Sequence, residues 1–159
     1  MKSKLIIGQA ILLAALLLPT AVYSHCEIPC GIYDDAMRYD MLEEHIGTIE
    51  KSMDMINKLS AEGEKNYNQI VRWVVNKENH AEQFMEIVQQ YFLNQRIKPA
   101  DESDTEKYDD YISQLKLMHG MLVSAMKCKQ TTDKAHTAEL SDLVEKSRQL
   151  YFKEHGHGH

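Results

Sequence analysis

Nine residues of this chain could do chemistry together: His25-Cys26-Glu27-Ile28-Pro29-Cys30-Gly31-Ile32-Tyr33. They hold two of the three cysteines, one histidine, one of the three prolines and a glycine. Thiolates are soft ligands that select thiophilic metals, and imidazole suits nickel, copper, zinc or iron. A turn at Pro29 lets Cys30 return towards Cys26. The chemistry these residue types offer at this spacing is therefore metal binding.

What precedes the stretch decides which further donors it has. Lys2 and Lys4 form a positive n-region, Leu5 to Leu18 is nearly all apolar, and Pro19 breaks the run before Thr20-Ala21-Val22-Tyr23-Ser24. Val22 at −3 and Ser24 at −1 are residues a signal peptidase accepts, so 1–24 reads as a cleaved secretory leader. An uncleaved anchor is the competing reading, but the apolar run falls short of the ~20 residues a span needs. Acylation of Cys26 would want a small residue before it, where His25 stands. The expected mature chain begins at His25, is exported, and ends in the periplasm or outside the cell.

With that cut, His25 offers an α-amine and an imidazole, and Cys26 offers its backbone nitrogen and its thiolate. Amine to amide, and amide to sulfur, each close a five-membered chelate ring, and Cys30 can fill a fourth position. Two nitrogens and two sulfurs in one plane suit Ni(II) or Cu(II), with the imidazole left as an axial donor. Two other readings stand beside this one. A Cys26–Cys30 disulfide is common chemistry for an exported chain but would close only a short loop. Structural zinc would want a second pair of ligands elsewhere, and no second cysteine pair exists.

His-Cys-x-x-Pro-Cys-Gly-x-Tyr directly after a leader resembles the nickel hook of the nickel-containing superoxide dismutases. The resemblance implies a nickel cofactor and superoxide as substrate, dismuted to oxygen and hydrogen peroxide by Ni(II)/Ni(III) cycling. It implies Cys26 and Cys30 as equatorial ligands, His25 as the axial imidazole, and Tyr33 close to substrate without binding metal. It also implies a cis peptide before Pro29. A carboxylate from early in the first helix and an arginine from the second orient the axial imidazole in the family. By position Asp40 matches the carboxylate, and Arg72 or His80 stands for the arginine. The family assembles as a homohexamer whose hooks are covered by neighbouring subunits. The alternative from another class is an exported nickel or copper carrier without redox turnover.

The elements that must position the hook are helical. Without the leader 135 residues remain, with 16 basic and 24 acidic side chains, a net charge of −8. That is enough for one modest core, and it argues against nucleic-acid binding, which wants a basic surface. Once the leader is removed, no membrane segment is expected. Leu42, Ile46, Ile49, Met53 and Ile56 predict a first helix, capped by Asp34 or Asp35. Ile70, Val74, Lys77, Ala81, Phe84, Val88 and Tyr91 predict a second. Gln95 to Asp104 reads as the one substantial connection. Tyr108, Ile112, Leu115, His119, Leu122 and Met126 predict a third helix, and His136, Leu140, Leu143, Ser147 and Leu150 a fourth.

The expected fold is all-α, an up-down-up-down four-helix bundle preceded by the hook. Its divisions are leader 1–24, hook 25–33, bundle 34–152 and a flexible His-rich tail 153–159. The numerous methionines read as core filler, Cys128 as a quiet thiol, and the alternating His155, His157 and His159 as a segment able to gather metal.

Overall fold

The computed structural model describes residues 33–155, and every element within them is helical. Helix α1 spans Asp35–Ala61 and is followed by a single 3-10 turn, Glu64–Asn66. Helix α2, Tyr67–Glu86, runs on without interruption into a wider π-helical stretch, Ile87–Arg96. Helices α3, Thr105–Gln130, and α4, Ala135–His155, complete the bundle. The leader, the hook residues 25–32, where a cis peptide is expected before Pro29, and the last four residues of the tail lie outside the described residues.

Local chemistry sets the helix ends. The Asp34 carboxylate accepts the Met37 N–H at 2.9 Å, capping α1, and Gly63, at φ +90°, supplies the left-handed turn after α1 that other residues rarely adopt. Asp104 caps α3 through the Lys107 N–H, and Asp133 accepts the Ala135 N–H at the start of α4. The end of α3 is closed from another helix. Lys77, only 3 % exposed, donates to the carbonyls of Cys128 and Lys129, so a buried ammonium satisfies acceptors the last turn leaves open.

Side-chain pairings fix the helix directions. Asp35 at the start of α1 meets Arg96 at the end of the π stretch and Tyr151 near the end of α4. Lys77 in α2 meets the end of α3, and Lys153 of α4 lies by Asp110 of α3. Neighbouring helices are therefore antiparallel. Helix α1 packs most heavily on α2 and α3 on α4, while α2–α3 and α1–α4 contacts close the ring. This is the expected up-down-up-down bundle.

The core divides along its length. At the end where the chain enters at Tyr33, Tyr39, Tyr91, Phe92, Tyr151 and Phe152 stack with centroid separations of 4.6–5.8 Å. Each such contact adds about 0.5–1.5 kcal/mol beyond the area it buries. Further along, Leu42, Ile49, Met53, Phe84, Met118, Met121 and Leu140 are wholly buried. The α1 stripe is the one expected.

Elsewhere the stripes move. In α3 the buried face is Gln114, Met118, Met121, Ser124, Ala125 and Cys128, one residue back from the expected stripe, while His119 and Met126 are exposed. One residue is about 100° of helix rotation. The cause is polar residues on the core side: Gln114, which hydropathy alone assigns to the surface, accepts from buried Ser147. In α2 the expected seam holds from Lys77 onward, but Val74 is exposed and Ile70 only half-buried. Because Lys77 caps the end of antiparallel α3, residues 67–74 run past that end and pack on α1 without a roof.

Candidate metal centre

Tyr33 follows Cys30 by three residues and is the first described side chain. Its ring meets Tyr91 edge-on at 6.1 Å and lies under the Arg96 guanidinium at 4.3 Å. It remains 38 % exposed, so its hydroxyl can reach solvent or a small anion while its ring is held.

What holds Arg96 in place is Asp35, 6 % exposed, which accepts four hydrogen bonds. Arg96 donates from Nε at 2.8 Å to Oδ1 and from Nη2 at 2.6 Å to Oδ2. The Tyr91 hydroxyl donates to Oδ1 at 2.6 Å and the Tyr151 hydroxyl to Oδ2 at 2.8 Å. Burial alone would push the Asp35 carboxyl up, but the bonds from Arg96, Tyr91 and Tyr151 outweigh it and hold the carboxyl below its usual range. Burial and the Asp35 charge push both tyrosine hydroxyls upward, so they stay protonated donors. The group is a neutral clamp made of three elements, and it positions Tyr33.

The π-helical stretch is what assembles it. Tyr91 and Arg96 are five residues apart, which in an α-helix sets them about 140° apart. The i→i+5 bonding of a π-helix brings residues five apart to one face, and both then reach Asp35. Beside them Arg38 lies over the Tyr91 ring at 4.9 Å, with Nη1 3.7 Å from Met41 Sδ.

The three positions expected to orient the imidazole are not brought together. Asp40 is on the outer face of α1, paired with Arg148 at 2.6 Å. Arg72 is exposed on α2. His80 bonds His45, Nδ1 to Nδ1, at 2.9 Å. In the sequence Asp35 reads as a possible cap, and hydropathy does not mark Arg96, Tyr91 and Tyr151 as its partners. One signal was available: Tyr91 lies on the predicted core seam, and a buried phenol needs a hydrogen-bond partner.

His25, Cys26 and Cys30 lie outside the described residues. Among the described residues no group of three or more His, Cys, Asp or Glu side chains could hold a metal ion. Cys128 is buried and its thiol is pushed up to about 11 by burial, which makes it a poor ligand. The donor chemistry that fits nickel, two thiolates with an adjoining imidazole, is that of residues 25–30. A cleft of about 820 Å³ opens elsewhere, lined by Pro99, Asp104, Lys107, Tyr111, Gln114 and Lys153 among others, and includes neither Tyr33 nor the clamp.

The described residues form a small four-helix bundle with a clamped tyrosine at the end where residues 25–30 precede it in sequence. The profile of the nickel-containing superoxide dismutases matches residues 20–155, most of the chain. This chain belongs to the nickel-containing superoxide dismutase family: it is an oxidoreductase with nickel as its cofactor and superoxide as its substrate. Comparison with curated proteins gave no match, and comparison with solved structures gave none either.

Proposed function

We propose that His25, Cys26 and Cys30 hold the nickel and that Tyr33 faces the superoxide that reaches it. The observation that carries this reading is the Asp35–Arg96–Tyr91–Tyr151 clamp, which fixes Tyr33 three residues after Cys30. Nickel, when bound, supplies a one-electron couple between Ni(II) and Ni(III), by which two superoxide ions and two protons become oxygen and hydrogen peroxide. The chain's part is to tune and shelter that couple. Anionic thiolates and an amide nitrogen donate charge and stabilise the higher oxidation state, and the His25 imidazole does so further. The Tyr33 hydroxyl donates a hydrogen bond to an anion or water beside the hook. The aromatic packing beneath keeps the ring from swinging away.

The same reading makes residues 1–24 a leader removed on export to the periplasm or the outside, which frees the His25 amine as a ligand. The hook is then 25–33, the bundle 34–152 and the His-rich tail 153–159. No described helix is long and apolar enough to cross a membrane, and the net charge of −8 without the leader disfavours nucleic acid. A nine-residue hook cannot bury itself, so self-association, as a homohexamer, would cover it. Orientation of the imidazole by Asp40, Arg72 or His80 has less support, since each is engaged or exposed elsewhere.

The amine is tested by inserting one alanine between Ser24 and His25, with the N-terminal mass confirming that alanine comes first. Every motif side chain survives, but the amine–amide–thiolate chelate is broken. We expect a helical protein with less than a tenth of the activity. Near-full activity would show that the terminal amine is not a ligand and would favour a side-chain metal carrier.

A further inference from the structure

Away from the clamp, α1 and α2 bring two imidazoles together. His45 lies ten residues beyond Asp35 on α1, about 15 Å along the helix at 1.5 Å per residue. His80 faces it from α2, with Nδ1 2.9 Å from Nδ1 and ring centroids 5.1 Å apart at 58°. His45 is 8 % exposed and His80 is half-buried. Neither ring makes another hydrogen bond among the described residues. The adjoining level of the same seam is polar as well: Asn76 donates to Ser52 at 3.0 Å, and Ser52 to the Thr48 carbonyl at 2.8 Å.

We propose that His45 and His80 form a second transition-metal site, built by the bundle without any residue of the hook, which takes one divalent ion of tetragonal preference, Ni(II) or Cu(II). Imidazole nitrogens bind first-row metals at about 2.0–2.1 Å. Two nitrogens 2.9 Å apart then subtend roughly 90° at the metal, the angle between adjacent ligands in a square-planar or tetragonal site. A tetrahedral ion would need them roughly 0.4 Å further apart at that bond length. In the neutral pair one Nδ1–H donates to the other Nδ1. To offer both Nδ1 lone pairs, the donor ring carries its proton on Nε2 instead. That tautomer shift leaves the pair neutral and releases no proton. Water reaching the half-buried His80 completes the coordination. The helices hold both donors at this spacing before the ion arrives, so the site needs little reorganisation.

The test uses the full chain with His25→Ala, Cys26→Ser, Cys30→Ser and His155, His157 and His159→Ala, so that the side chains of hook and tail no longer compete, and Cu(II) alone as the probe. Electron paramagnetic resonance should show one equivalent bound with splitting from two nitrogens. His45→Asn or His80→Asn in that background should weaken binding at least tenfold and remove one nitrogen from the splitting. Affinity unchanged within twofold in both variants would overturn the site. Should either variant lose its helical circular dichroism, ring-proton resonances of the unsubstituted pair decide. Substoichiometric Cu(II) must broaden His45 and His80 before His119 and His136; the reverse order contradicts the proposal.

Discussion

Asp35 concentrates the electrostatics of the entry end into one carboxylate. It is buried, yet Arg96 and two phenols hold it ionised. Asp35→Asn leaves the partly buried Arg96 charge without its counter-ion, a change we expect to cost about 2–4 kcal/mol at neutral pH by denaturant unfolding. The sign with pH follows from the lowered carboxyl. Its stabilisation is fully present above the unfolded value of about 3.9 and is lost as pH falls through the folded one. The gap between native protein and Asp35→Asn should therefore be constant from pH 7 to about 5 and close below about 4. A gap that widens on acidification would contradict the clamp. Tyr33→Phe is the complementary change. The ring keeps its contacts with Tyr91 and Arg96, so stability and nickel content should hold. Losing one hydrogen bond of about 1.4 kcal/mol in the transition state should lower kcat/KM about tenfold. Unchanged kcat/KM would remove Tyr33 from the reaction.

Among the elements, the π-helical stretch does what no stripe analysis foresees. The α1 stripe was legible because Leu42, Ile46, Ile49, Met53 and Ile56 are all apolar and all buried, although His45 and Ser52 are buried beside them. The α3 stripe was displaced because its core face carries Gln114 and Ser124 with internal partners. Gln95 and Arg96 read as the start of a polar connection, yet they end the helical run, since a buried carboxylate repays the polarity of Arg96. Sequence periodicity sees hydropathy but not pairing. The cysteines and histidine of the hook are proposed as ligands on residue type and spacing alone, where hydropathy plays no part. Inserting one alanine after Asn94 should set Arg96 six residues beyond Tyr91 and turn it about 80–100° further round the helix, away from Asp35. We expect helical circular dichroism to persist and stability to fall as it does in Asp35→Asn. Native stability after the insertion would show that the register of the wide turns is not needed for the clamp.

At the scale of the whole molecule, the bundle ends in a clamp around Asp35, and the proposed chemistry belongs to the hook that precedes it in sequence. The clamp joins α1, the π stretch and α4 at the place where the chain arrives from Ile32. Aromatic packing beneath that place is the densest in the fold. Lys77 closes the opposite end, and α2 runs on past it with Tyr67, Val71 and Val75 more than half exposed. Membership of the nickel-containing superoxide dismutases makes the thiolates the central claim. The most direct measurement is nickel content together with superoxide dismutation in Cys26→Ser and in Cys30→Ser. A serine hydroxyl stays protonated where a cysteine ionises and is a far weaker donor, while the bundle, which contains neither residue, should remain folded. Each variant should lose redox-active nickel and fall to the background rate of disproportionation. Native nickel content and native activity in either one would contradict the assignment of the hook.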